Sequence, residues 1–308
     1  MGIALGVLAD AVIGDPRRAH PVAGFGRWAG VLERRAYGPS RARGVLFLGA
    51  ATAAPVALGW LTERGTRGRP VLRTAVTAAA TWAALGGTSL AREGTAMAQA
   101  LEAGDVGAAR RRLPHLCARD PAGLGPDELA RAAVESLAEN TSDAVVAPLL
   151  WAAVGGVPGV VGYRAVNTLD AMVGYTSPRY LRFGWASARL DDVVNLLPAR
   201  VTGLLTVACA RTVGGSVRRS WRILIRDGGH HPSPNAGRCE AAAAGALGVR
   251  LGGANSYGGR VERRPELGEG PPPAVTDIRR AVRLGRAVGL AAAGLAVLVA
   301  LGKGRGRR

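Results

Sequence analysis

Glu135, Glu139 and Asp143 stand four residues apart in ESLAENTSD. On a helix of 3.6 residues per turn that spacing stacks the three carboxylates along one face. Like charges so placed repel, so a cation must offset them. A divalent metal shared with a phosphate substrate fits, because magnesium takes a few carboxylates and completes its shell with phosphate oxygens and water. A solvated acidic face is the competing account; against it stands the apolar run that begins directly after Asp143. A second set, Arg164, Asn167 and Asp170, is spaced i, i+3, i+6 and shares a helix face, although a local ion pair would explain it as well. The third set lies in RLDDVVNLLPAR, where Asp191 and Asn195 are one turn apart and Arg189, Asp192 and Arg200 flank them. Ionisable groups inside an apolar segment cost at least ~2.5–3.5 kcal/mol each near a bilayer centre, so they face a polar cavity and act there.

Two weaker clusters accompany these. GGHHPSPNAG, carrying His230, His231, Ser233, Asn235 and Gly237, precedes Glu240 and an alanine-rich helix, and the N–H groups of a Gly-rich turn at a helix start can cradle phosphate. No Walker motif occurs, and adjacent histidines point apart, which makes a His230–His231 metal pair a poor reading. Near the start, Asp10, Gly14-Asp15-Pro16 and His20 form a polar cluster on an apolar background. Cys117, Cys209 and Cys239 are odd in number and far apart, so neither a disulfide framework nor a CxxC metal site follows.

The elements that must position these groups are apolar. The 308 residues are 48% hydrophobic, and adding the 45 glycines carries the share well above the ~45–50% that includes glycine in ordinary globular chains. The excess is gathered in long uncharged blocks, the mark of a polytopic membrane protein. A bilayer core of about 30 Å needs roughly 20 apolar residues. Stretches 44–62 and 74–91 qualify and, with an arginine-rich link between them, read as a helical hairpin; 144–163, 193–210 and 287–302 follow. The N-terminal apolar residues read as a retained helix, since no basic region precedes them. Residues 92–143 read as a helical polar insertion, with helix over 90–103, Asp105 capping a second helix and Asp127 starting a third at Glu128. Residues 227–259 and Pro271-Pro272-Pro273 read as loop. The net charge of +18 would suit a nucleic-acid binder, but there is no zinc-finger spacing, no aromatic RNA motif and only 5% aromatic residues. Basic loops beside apolar spans obey the positive-inside rule instead, and the tail of Lys303, Arg305, Arg307 and Arg308 places the C-terminus in the cytoplasm.

If 144–163 were one straight helix, Asp143 and Arg164 would lie roughly 30 Å apart at 1.5 Å per residue. A single site containing both sets therefore requires this run to be broken or re-entrant near Pro148 or Gly155–Pro158, which is tolerated where the backbone lines a cavity.

GDPRRAHPV near the start, ESLAENTSDAVVAPLLWAAVGGVPGVVGYRAVNTLDAMVGY, FGWASARLDDVVNLLPAR and HHPSPNAGRCEAAAAGALGVRLGG, in that order over nearly the whole chain, resemble the adenosylcobinamide-phosphate synthase family of cobalamin biosynthesis (CobD/CbiB). The chain departs at Ala118-Arg119-Asp120-Pro121, where the family usually reads Ser-Arg-Asp-Thr, leaving no hydroxyl at 118 or 121. The resemblance implies an all-α, multi-pass ligase of the cell membrane in one domain over 1–308. It would join aminopropanol or its O-phosphate to a propionate of adenosylcobyric acid, with ATP and Mg2+ expected and the lipid bilayer and other late cobalamin-pathway enzymes as partners. A carboxylate resists amine attack until activated, most simply as an acyl phosphate, so the site must hold nucleotide, metal and two anionic substrates. On that footing Asp170, Glu135 and Asn167 are the catalytic candidates, with Asp170 as base. Arg164, Arg200, His20, Ser233, Asn235 and Gly237 are candidates for phosphate or substrate, and Glu139, Asp143, Asp191 and Asp192 for metal. Two rival readings suit the same residues. A membrane prenyl- or phospho-group transferase would grip diphosphate through Asp191 and Asp192, and a transporter would place buried charges at broken helices.

Overall fold

The computed structural model describes residues 1–15, 20–257 and 260–305, with the side chains at 255–257, 260–262, 304 and 305 outside that description. Pro16 of the N-terminal polar cluster, and Arg307 and Arg308 of the basic tail, lie outside the described residues, as does the Arg305 side chain. The chain forms two compact units, Met1–Gly86 with Ala147–Asn195 and Ala293–Arg308, and Gly87–Val146 with Leu196–Ala292. Unit one opens with α1 (Gly2–Ile13), α2 (Pro21–Ala36), α3 (Arg41–Gly65) and α4 (Pro70–Ala84). In unit two follow α5 (Gly87–Glu102), α6 (Val106–Arg112) and α7 (Pro126–Thr141), whereupon a π-turn over Ser142–Val146 leads the chain back to unit one and α8 (Ala147–Val173), α9 (Tyr180–Phe183) and α10 (Trp185–Val194). The second unit then takes α11 (Leu196–Cys209), α12 (Val217–Asp227), α13 (Ala236–Leu247), the antiparallel hairpin of β1 (Leu251–Tyr257) and β2 (Arg260–Leu267), and α14 (Val275–Arg305) up to Ala292.

Among the described residues four stretches are long and apolar enough to cross a membrane: Arg41–Gly65, Pro126–Val173, Leu196–Val213 and Val275–Lys303. The all-α polytopic reading holds, with one short hairpin among the described residues. The predicted hairpin of 44–62 with 74–91 does not form. Tandem Gly86-Gly87 offers little helix propensity, so α4 ends at Ala84 and α5 begins separately at Gly87. Instead α4 packs on α1, where Gly2 and Gly6, one turn apart, admit Thr77 and Thr81 so closely that an added Cβ would lie 2.6 Å from either threonine Cβ. Small residues at that spacing let membrane helices approach. Helix α3 packs on α8 and helps to enclose the core of unit one around Phe47, Leu169, Val173 and Phe183.

The run over 144–163 is broken as expected. Helix α8 leaves helical geometry at Gly156, with φ 64° and ψ −150°. Pro158, which has no N–H to lose, opens the second half as a first-turn proline. The backbone groups freed at the break find side chains: Glu63 Oε2 accepts from Val157 N at 3.3 Å, and Lys303, the only lysine in the chain, donates to Val154 O. An acid at the start of one half and an ammonium at the end of the other both complement the helix dipole. The span predicted over 193–210 is interrupted at Asn195 and runs instead over Leu196–Val213, while 287–302 lies inside the longer α14.

In the polar insertion Asp105 caps α6 by accepting from Ala108 N at 2.7 Å. Helix α7 begins at Pro126, a little before the expected start, and the Glu128 carboxylate accepts from Gly125 N at 2.9 Å. Residues 228–235 are loop as expected, but α13 and β1 occupy most of 236–257, and 258 and 259 lie outside the described residues. The strand escapes detection because Gly252 and Gly253, at φ 89° and 90°, carry a β-bulge that breaks the alternation of side chains. Helix α13 is buried at nearly every position, its alanines admitting α11 and α12 at close range.

Candidate functional site

The predicted carboxylates fall into two groups, one in each unit. In unit two, α7 presents Arg131, Glu135 and Glu139. Glu135 is buried and forms an ion pair with the equally buried Arg119 at 2.5 Å. Its other oxygen accepts from Gly252 N at 2.7 Å and lies 3.6 Å from Arg131. Arg131 in turn donates to the carbonyls of Gly252 and Ala254, tying α7 to the hairpin. Glu139, half-buried one turn on, stands in the field of Arg264, Arg119 and Glu135. The cations that offset this stripe are therefore guanidiniums of the chain itself. The winding also changes at Ser142, so the i, i+4 register holds for Glu135 and Glu139 but is lost before Asp143, which sits in the π-turn facing Cys239.

Glu240 on α13 joins this cluster. It lies 4.0 Å from His231, both side chains almost fully buried. Burial pushes its carboxyl well above the usual range, and Glu135 and Glu139 add to the shift while Arg264 and Arg119 oppose it. His231 accepts from Ser233 N at Nδ1 (3.0 Å), and its Nε2 lies 4.0 Å from Glu240 and 3.2 Å from the Arg264 guanidinium. Burial likewise raises the Cys239 thiol, with Asp143 adding to it. The loop offered as a phosphate cradle is already occupied by its own contacts. Ser233 Oγ accepts from Asn235 N and Ala236 N at the start of α13, and Arg200 donates to Asn235 Oδ1 at 3.1 Å. Gly237 lacks a side chain because a Cβ there would lie 2.4 Å from the His231 Cβ.

Unit one holds the other group, and it is open. The second half of α8 carries Tyr163, Arg164, Asn167 and Asp170, and α10 carries Asp191 and Asp192. Arg164 donates to Asn167 at 3.2 Å, and Asn167 Nδ2 contacts Asp191 Oδ1 at 3.4 Å. Asn195 donates to Asp191 Oδ2 at 3.0 Å and accepts from the Tyr163 hydroxyl at 2.9 Å. Two amides thus hold Asp191 as an acceptor. Asp192 points to Arg189 at the surface, 3.2 Å away. Asp170 lies at the end of α8 beside Gly174; burial raises the Tyr175 hydroxyl, and the Asp170 charge adds to it. His20 caps α2, accepting from Val22 N at 3.1 Å, while its other nitrogen faces Asp15 at 3.6 Å.

Between α2 and the second half of α8 is a cavity of about 830 Å³ lined by Asp15, His20, Arg27, Arg34, Arg164 and the small Gly26 and Gly30, among others. Arg164 therefore reaches both the cavity and the Asp191 network. Such a wall suits an anionic ligand: guanidiniums recognise carboxylate and phosphate through paired donors. Among the described residues no group of three or more His, Cys, Asp or Glu side chains could hold a metal. Glu139 and Asp143 fall in one unit, Asp191 and Asp192 in the other.

Sequence reasoning missed Arg27 and Arg34, although their i, i+7 spacing beside Gly26 and Gly30 marks one face of a helix. It also missed Arg119, Arg131 and Arg264 as partners of the carboxylates. Only the i, i+4 step from Arg131 to Glu135 was available as a signal, since the other pairs are distant in sequence.

Comparison with known proteins gives a consistent result. The family model described as "CobD/Cbib protein" matches residues 3–285. The "Cobalamin biosynthesis protein CobD" of Mycobacterium tuberculosis (strain ATCC 25618 / H37Rv) is 57% identical over 300 residues, covering 97% of this chain and 95% of the relative. Proteins of the same name from Geobacter metallireducens and Chromobacterium violaceum are 48% and 42% identical, covering 90% and 91% of this chain and 89% and 90% of their own lengths. No solved structure matches.

Proposed function

The chain belongs to the CobD/CbiB family of cobalamin biosynthesis, and from that premise we propose that it is an ATP-dependent carbon–nitrogen ligase of the cell membrane, with its C-terminus in the cytoplasm. The reaction joins aminopropanol, or its O-phosphate, to a propionate of adenosylcobyric acid. The observation that carries this reading is the double position of Arg164, which lines a cationic cavity and is bonded into the network around Asp191. An amide ligase needs that juxtaposition: cations for anionic substrates beside carboxylates that serve metal and proton transfer.

By the simplest route the propionate oxygen attacks the terminal phosphoryl group of ATP and ADP leaves. The amine nitrogen then attacks the acyl carbon, the C–N bond forms, and phosphate departs. His20, Arg27, Arg34 and Arg164 hold the anionic groups, and Arg164 orients the one nearest the network. Asp170, on the same half-helix as Arg164, accepts the amine proton. Magnesium needs one or two carboxylates once phosphate oxygens and water complete its shell. Asp191, kept as an acceptor by Asn167 and Asn195, fits that partial set, whereas Asp192 is turned toward Arg189. Bound there, the metal would neutralise phosphate charge.

The test incubates membranes containing the protein with adenosylcobyric acid, ATP, magnesium and aminopropanol phosphate. Amide product, abolished by Arg164→Ala, is the expected result. Substrate uptake into vesicles without product would replace the ligase with a transporter, and turnover only with a prenyl diphosphate would replace it with a transferase.

A further inference from the structure

Helix α12 follows an apolar span almost at once. The span over Leu196–Val213 ends at Gly214, whose φ of 70° closes the last turn, and α12 begins at Val217. Three intervening residues reach at most ~10 Å, so α12 starts close to the end of that span, near headgroup level for a span that crosses the bilayer. Its inner face, Ser220, Ile223, Leu224 and Asp227, is buried, and α12 packs on α11 and α13.

The outer face has a different composition. Arg218, Trp221, Arg222, Ile225 and Arg226 recur at i, i+3, i+4, i+7 and i+8 and are all exposed, Trp221 at 48% and Ile225 at 57%. They line a groove of about 850 Å³ together with Ser216 and Arg219. Glu269 pairs with Arg222 and Arg226 and fixes their heads, whereas Arg218 has no hydrogen-bond or ion-pair partner among the described residues. A protein-binding face gathers its apolar groups at the centre and its charges at the rim. Here guanidinium and apolar groups alternate at every turn, which matches phosphate lying beside hydrocarbon: tryptophan settles at the bilayer interface and arginine stems run along apolar surface with their heads in the polar layer.

We propose that the outer face of α12 binds anionic phospholipid of the bilayer, with Arg218 and Arg222 on the headgroup phosphate and Trp221 and Ile225 against the acyl chains.

The test uses the full chain in nanodiscs of phosphatidylcholine alone or mixed with phosphatidylglycerol. After delipidation, native mass spectrometry should find phosphatidylglycerol retained over phosphatidylcholine. Arg218→Gln and Arg222→Gln should each lower that retention roughly fivefold, while the matching lysine variants, which keep the charge and guard against a folding artefact, should preserve most of it. In parallel, the tryptophan emission lost in Trp221→Phe should be quenched by lipids with brominated chains. Equal retention of the two lipids, or retention unchanged by the glutamine variants, would overturn the proposal. So would a Trp221 component reached by aqueous iodide but not by brominated chains, or one shielded from both quenchers because a second copy of the chain covers the face.

Discussion

The carboxylates of α7 and α13 and those of α8 and α10 look alike as sequence, yet the two regions treat charge in opposite ways. In unit two Glu135 is matched by Arg119 and bonded to the hairpin backbone, with both partners withdrawn from solvent. In unit one Asp191 is held by neutral amides, and the cations near it line an open cavity. Carboxylates saturated by the protein's own guanidiniums have little left to offer a substrate. Carboxylates oriented by amides keep their charge and part of their acceptor capacity. The contrast suits a structural role for Glu135 in unit two and, on the proposed function, a chemical role for the α8–α10 network.

The comparison breaks most visibly at Glu135. Glu135→Ala strands Arg119 in the interior and should destabilise the protein by about 3–5 kcal/mol, read as a lower unfolding midpoint in detergent. Arg119→Met combined with Glu135→Leu should recover most of that loss; if the single variant unfolds normally but loses turnover, the cluster belongs to the chemistry instead. In the other region Asp191→Asn should leave the unfolding midpoint nearly unchanged and lower kcat by about 10²–10³-fold, the scale of losing a preorganised electrostatic contact. A smaller effect is expected at the break in α8. Glu63→Ala leaves Val157 N without its acceptor and should cost about 1 kcal/mol, as for other lost helix caps. Glu63→Gln should restore most of it, measured by the same melt.

The finest discrimination comes from pH. Glu240 binds its proton more tightly folded than unfolded, so its contribution to stability is greatest in acid and declines as pH rises from the ordinary carboxyl value toward its own raised one. Glu240→Gln should flatten that part of the stability profile above about pH 4.5 and raise the midpoint at neutral pH. A profile that is the same in both proteins would mean that Glu240 is ionised and paired, like Glu135.

Much of this was legible beforehand because it depends on neighbours in the chain. The apolar block that became α3, the cap at Asp105 and the Arg164–Asn167 step are all short-range consequences of helical periodicity. The break in 144–163 followed from glycine and proline chemistry, although Gly156 rather than a proline carries it. The failures have the opposite cause. Nothing local announces that α4 prefers α1 to α3, because that choice rests on Gly2 and Gly6 meeting Thr77 and Thr81, each pair 75 residues apart. Nor is a bulged glycine strand visible to a search for alternating side chains.

By itself the sequence determined that the chain is helical, apolar enough to enter a membrane, and a member of a particular family, since composition, periodicity and long exact strings are properties of the chain in order. Only the tertiary structure decided which carboxylates meet guanidiniums and which meet amides. Whether an acid is neutralised, buried or turned toward a cavity depends on groups brought to it from distant segments, as Arg119 is to Glu135 and Asn167 to Asp191. Their electrostatic influence falls with distance in space, not with separation along the chain.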